Sequence, residues 1–291
     1  MKTNRLYPWY FAAGALIIYT ALCVIPGLIG IGYSFTDWSS YSKEIHFVGL
    51  ENFKKVLSGD TEYLQYILNT LWFTAVTTVA KTGLGLLFAV ALCRNIRFKN
   101  FHRGVMYIPS VLSILIIGLV FTSILNPKTG LLNESLRFLG LDSLTQHWLT
   151  DPKLAFWSVM AVDIWRGTGY IMTMLIVGIL AIPGVYYEAA SIDGATGFHK
   201  FVHITLPMLR QTLAVTIVLN VLYGLKVFDM VYALTNGGPA HRTEVMYTAV
   251  YKQFSQGLYA EGTTISSIMF VFMVIIGFFM IKVLTRNEVR E

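Results

Sequence analysis

Five ionisable residues sit inside otherwise apolar windows of this 291-residue chain: Lys81, Asp163, Arg166, Lys226 and Asp229. A charge in hydrocarbon is costly, so such groups face a polar cavity or one another, and each is a functional candidate. Two local pairings are open. Asp163 and Arg166 are spaced i,i+3, as are Lys226 and Asp229, so each pair could neutralise itself on one helix face. The first has the richer surroundings: Val162-Asp-Ile-Trp-Arg-Gly-Thr-Gly-Tyr170 sets an acid, a guanidinium, two aromatics and two glycines close together. Sugars are recognised by that mixture, because aromatic faces stack on pyranose C–H faces while charged groups take paired hydroxyls. At ~1.5 Å per residue Asp163 lies ~12 Å from the start of its span. Tyr223, counted along the next span from Arg210, reaches a similar depth, so both can face one cavity near the midplane.

Other chemistries find no residues to carry them. Lys81-Thr82 is the nearest approach to a P-loop, and both of its glycine positions are alanine, Ala80 and Ala75. Nucleotide hydrolysis is therefore expected on another chain. The six histidines have no metal-ligand spacing and there is no Gly-x-Ser-x-Gly elbow, so no catalytic residue, metal or cofactor is expected. Cys23 and Cys93 stand alone and read as small buried hydrophobes.

The elements that must hold these residues are membrane helices. With 55% hydrophobic and only 13% charged residues, against about 25% charged in soluble domains, this is an all-α integral membrane protein. Apolar windows near the ~20 residues needed to span occur at about 9–33, 67–92, 104–125, 155–182, 210–234 and 263–284. The first, from Trp9, is too long for a signal peptide and is expected to be retained. Six spans put both termini on one side. Placing that side in the cytoplasm gathers Lys2, Arg5, Arg94, Arg97, Lys99, Arg103, Lys200, Arg210, Lys282, Arg286 and Arg290 inside, and leaves external loops at 34–66, 126–154 and 235–262. The net charge of +6 is thus explained by orientation and lipid contact, and nucleic acid is not an expected partner.

Between the windows 155–182 and 210–234 lies a polar break that lacks a loop's composition. Glu188, Ala189, Ala190 and Ile192 predict a short helix, Gly194 and Gly197 its end, and Phe198 onward a new helix bent by Pro207. An elbow of this kind, over 186–208, is a stiff lever suited to docking a protein at the membrane surface.

Glu188-Ala-Ala-Ser-Ile-Asp-Gly-Ala195, followed by Ile204-Thr-Leu-Pro207, resembles the cytoplasmic EAA motif of the permease subunits of binding-protein-dependent ABC importers. Phe47-Val-Gly-Leu-Glu-Asn-Phe53 and the Thr-x-Gly-Gly-Pro of Thr235–Pro239 are similar to segments of that family's carbohydrate branch. The resemblance implies the type I importer permease fold in one domain over 1–291, placed in a bacterial or archaeal inner membrane. It also implies a second permease chain, two ATPase subunits and an external solute-binding protein as partners. It gives ATPase coupling to Glu188, Ala189, Ala190, Asp193, Gly194, Ala195 and Pro207. In maltose-type members the W-x-G segment and a point midway along the next span contribute the sugar site, which maps onto Asp163, Arg166, Gly167, Tyr170, Tyr223 and Gly224. Arg166 stands where those members can have an apolar residue, which leaves room for an anionic sugar or glycerol phosphate. The rival of another class is an ion-coupled secondary transporter working through Asp163, for which the elbow has no use and no inverted repeat is evident.

Overall fold

The computed structural model describes residues 10–58, 62–94 and 96–284. Lys2, Arg5, Trp9, Arg286 and Arg290 lie outside the described residues. In chain order the α-helices are α1 Tyr10–Tyr19, α2 Ile25–Tyr33, α3 Glu51–Leu57, α4 Tyr63–Cys93, α5 Lys99–Val111, α6 Ile114–Ile124, α7 Leu131–Phe138 and α8 Ala155–Leu180. There follow α9 Gly184–Ile192, α10 Gly197–Lys200, α11 Leu206–Met208, α12 Arg210–Leu225, α13 Asp229–Thr235, α14 Met246–Ser255 and α15 Tyr259–Leu284. Among the described residues the only β-pairing is an isolated bridge between Thr36 and Phe47.

Ala12–Tyr33, Tyr63–Cys93 and Tyr259–Met280 are each long and apolar enough to cross a membrane. The count becomes six when each bent pair serves as one span: α5 with α6 at 96°, α8 with α9 at 69°, and Gly197–Met208 with α12 at 67°. Proline accounts for the irregular turns in two of these regions. Its ring collides with the carbonyl four residues back, and a π-turn removes the collision by widening the helix. Pro26 is preceded by the π-turn Thr20–Val24, and Pro207 by Phe201–Thr205. Cys23 falls in the first of these turns and is exposed, while Cys93 is half-buried. The expectation that both are buried therefore fails, because a widened turn in an unpacked span shows its side chains to the surroundings.

The chain divides into two compact units, Met1–Leu64 with Ala249–Val271, and Gln65–Thr248 with Phe272–Glu291. In the first, the segment after α2 is held by amides and hydroxyls. Asn52 donates to the carbonyls of Ser34 (3.1 Å) and Thr36 (2.7 Å), and Thr264 donates to Ser34 O at 3.1 Å. The Trp38 ring lies 4.2 Å from that of Tyr33 and 4.6 Å from that of Tyr259, and Lys55 pairs with Glu261. Asn52 is thus a clasp that fixes the chain leaving a span.

The second unit carries the candidate site. One core cluster packs Phe73, Phe156, Met160, Met230 and Val231, and another packs Ala89, Ile171, Met172, Leu175 and Leu209. Between α5 and α8 there is no room for a side chain at Gly169, since a β-carbon there would overlap the Met106 carbonyl. Arg103, expected only to orient the chain, donates to Leu92 O at 2.7 Å and so caps the end of α4. Near the other end of α4, Asn69 donates to the carbonyls of Arg242 (3.0 Å) and Glu244 (2.8 Å), and Thr70 Oγ1 accepts from Met246 N at 3.0 Å.

Replacing Asn69 by alanine strands the buried Glu244 carbonyl and frees the part-buried one of Arg242, a loss of about 1–3 kcal/mol. The expected result is a clearly lower Tm of the purified protein in detergent, and an unchanged Tm would show that these bonds do not hold the loop.

Candidate functional site

Lys81 on α4, Asp163 on α8 and Tyr223 on α12 meet in the interior of the second unit. Lys81 Nζ lies 2.5 Å from Asp163 Oδ2, with the two side chains 3% and 0% exposed. Asp163 Oδ2 has no hydrogen bond of good angle, so the contact is an ion pair held by charge. Asp163 Oδ1 accepts from the Tyr223 hydroxyl at 3.0 Å, and the Lys81 ammonium stands 4.6 Å from the centre of the Tyr223 ring. Three helices are therefore joined by one carboxylate.

Both local pairings expected from i,i+3 spacing are corrected. Asp163 takes Lys81 and not Arg166, because a neighbouring helix offers its ammonium end-on inside the protein. Lys226 and Asp229 do not share a helix face: α12 ends at Leu225 and α13 begins at Asp229. Both residues are exposed, and no ion pair joins them among the described residues.

Beside the ion pair is a cavity of about 250 Å³, lined by Arg166, Gly167, Tyr170 and Tyr223, together with Lys81, Ser110, Ile171, Leu219 and Asn220. Four of the six residues mapped to a sugar site thus share one cavity. Asp163 lies behind its wall, fully buried. Gly224 does not line it and is a packing residue, since a β-carbon there would come 2.9 Å from Thr74 Cα. Gly167 makes room for the Lys81 side chain, whose Cδ would lie 2.9 Å from an added β-carbon. Trp165 turns away and packs on Phe121, with ring centres 5.1 Å apart.

Ser110 and Asn220 are lining residues that the sequence did not single out. Ser110 Oγ donates to Arg166 O at 2.7 Å and accepts from Tyr170 N at 3.1 Å, so one hydroxyl spans a full step of the α8 ladder. Asn220 donates to Thr82 Oγ1 at 3.4 Å. Neither residue type is unusual in a span, so nothing but the packing reveals them.

The elbow closes by hydrogen bonds that explain its composition. Ala195 N donates to Ala190 O at 2.8 Å and Gly194 N to Ser191 O at 3.2 Å, with Gly194 at φ +75°. This is a Schellman end, which needs a left-handed residue and so favours glycine. Gly197 does not end this helix as expected but opens α10, whose cap is Thr196 Oγ1 accepting from His199 N at 3.3 Å. Two bonds brace the halves, Lys200 Nζ to Ser191 Oγ at 2.6 Å and Tyr187 OH to Thr205 Oγ1 at 2.9 Å. Glu188, Ala189, Asp193, Gly194 and Pro207 are exposed, and Ala190 and Ala195 half-buried.

The ion pair is testable by a double-mutant cycle. Lys81→Met or Asp163→Leu alone leaves one buried charge uncompensated and should cost about 3–5 kcal/mol, whereas both together should regain most of it. Additive losses in detergent unfolding would show that the two groups do not depend on each other.

Residues 81–289 match the family described as "Binding-protein-dependent transport system inner membrane component". The probable ABC transporter permease protein YurN of Bacillus subtilis (strain 168) is 33% identical over 285 residues, covering 97% of each chain. The trehalose/maltose transport system permease protein MalF of Thermococcus litoralis is 33% identical over 264 residues, covering 89% of this chain and 88% of its own. The fold is similar to that of a bacterial ABC transporter involved in the import of the acidic polysaccharide alginate, with a TM-score of 0.84 and 24% identity over 96% of this chain and 95% of that one. By the match over residues 81–289 and the relatives that cover nearly its whole length, the chain belongs to the family of inner-membrane components of binding-protein-dependent transport systems.

Proposed function

We propose that this chain is a permease subunit of an ABC importer that takes a sugar or oligosaccharide from an external solute-binding protein and passes it inward by ATP-driven alternating access. A second permease chain and two ATPase subunits complete the machine, and ATP is hydrolysed on the latter. The observation that carries this reading is the cavity that α8 and α12 enclose part-way along their lengths, where Tyr170, Tyr223 and Arg166 converge. An aromatic face and a guanidinium fork are what a pyranose ring and its hydroxyl pairs call for. The trehalose/maltose relative supports the substrate class.

The elbow serves as the coupling lever. Its exposed Glu188 offers a carboxylate to a cation of the ATPase, and the exposed Ile192 and Phe198 give apolar area beside it. Its bracing bonds make it stiff enough to transmit a push. The elbow and both termini face the cytoplasm, as the crowding of Lys and Arg beside those ends implies. Proton coupling through Asp163 is disfavoured, because that carboxylate is enclosed and already shared by Lys81 and Tyr223.

Single cysteines at Thr196 and Asn236 should label from opposite faces of the membrane, and labelling of both from outside overturns the orientation. A β-carbon at Gly194 meets nothing within this chain, so any loss beyond strain at its left-handed backbone reports what docks there. Gly194→Trp should leave the permease in the membrane yet abolish substrate-stimulated ATP hydrolysis and uptake in proteoliposomes. Normal transport by it refutes the lever. Tyr170→Ala should lower uptake with assembly and basal ATP hydrolysis intact, and unchanged uptake removes Tyr170 from the site.

A further inference from the structure

We infer that the sugar taken up through this cavity is an acidic one, and that its carboxylate docks on Arg166. The inference rests on the sugar reading above and deepens it. Charges around the cavity do not balance. Lys81 is met by Asp163 at 2.5 Å. Lys226, just past the end of α12, and Asp229, the first residue of α13, are exposed and offset each other in sign. Arg166 lines the cavity without an ion-pair partner among the described residues, and its Nε is fully buried with no acceptor.

The surrounding polar atoms leave that guanidinium unmet. Ser110 Oγ is engaged with the backbone of Arg166 and Tyr170, and the Tyr223 hydroxyl, which gives its proton to Asp163, makes no hydrogen bond with the Arg166 side chain. A guanidinium has only donors, so a ligand that satisfies it must bring acceptors. A carboxylate matches its fork with two parallel bonds and cancels its charge in a medium where an unpaired cation is costly. One free positive charge suits a monoanionic carboxylate. A phosphate dianion would need a second cation, and Lys81 is already taken. The cavity of about 250 Å³ is smaller than the roughly 300–1,000 Å³ of most small-molecule pockets, so this chain grips a single sugar unit and its acid group.

The experiment uses the whole complex in proteoliposomes with ATP inside and its own binding protein outside. Uptake is measured for oligogalacturonates and other uronate oligosaccharides, for their carboxyl-reduced neutral counterparts, and for glycerol 3-phosphate. Wild-type complex should take up a uronate in preference to its reduced counterpart. Arg166→Gln should raise the apparent KM for that uronate by about tenfold or more, the scale of a lost charge-assisted bond pair, and should raise that for the reduced counterpart, which loses only hydroxyl contacts, by clearly less. Arg166→Lys, which keeps the charge and loses the fork, should fall between. Wild-type selectivity needs no variant and so decides the matter even where Arg166→Gln fails to assemble. Uptake of neutral sugars alone, or of a uronate with no change in Arg166→Gln, overturns the inference and leaves the sugar reading standing. Uptake of glycerol 3-phosphate alone overturns both, and uptake of none of these probes overturns the inference.

Discussion

The absence of a side chain at position 169 sets the distance between α5 and α8, and much else follows from that distance. The Met106 carbonyl occupies the space a β-carbon would need, so the two backbones touch. Only at that separation can Ser110 reach across to Arg166 O and Tyr170 N. The same contact makes Ser110 part of the cavity wall and holds the turn of α8 that carries both Arg166 and Tyr170. Helix packing inside a membrane gains little from excluding water, so close approach at small residues is the usual source of cohesion there. In this chain it also shapes the site.

Electrostatics divides the site's three charged groups into two roles. Lys81 and Asp163 neutralise each other out of reach of solvent, and with the Tyr223 hydroxyl they fix three helices in register. Their removal from the ledger leaves Arg166 as the charge presented to the cavity. A buried pair of this kind is weak evidence for stability in itself, since desolvation offsets most of the attraction. Its structural effect is to specify which faces of α4, α8 and α12 meet, because any other arrangement leaves a charge alone in an apolar surrounding.

The sequence made some of this legible and hid the rest for physical reasons. Charges inside apolar windows announced Lys81, Asp163 and Arg166, and the Asp-Gly-Ala run announced a helix end at Gly194. The partner of Asp163 was not legible. Spacing along one helix reports neighbours on that helix, whereas Lys81 reaches Asp163 from another, and no local pattern says which helices lie side by side. The break between Leu225 and Asp229 was hidden because Val227 and Phe228 resume apolar character after Lys226, and a helix and a buried turn share that character. Gly197 misled because glycine ends and begins helices equally well, and the Thr196 cap decided it. Ser110 and Asn220 are ordinary polar residues whose part comes only from what packs beside them.

The pairing of Lys81 with a residue on a later helix bears on how the chain enters the bilayer. Ribosomes deliver α4 before α8, so Lys81 must cross into the membrane while its counter-charge has yet to be made. A lysine at the centre of a span opposes insertion by about 2.5–3.5 kcal/mol, which the many leucines, valines and phenylalanines of α4 outweigh at about 0.3–0.6 kcal/mol each. Once α8 follows, pairing with Asp163 removes that cost, so the pair ties a later span to an earlier one.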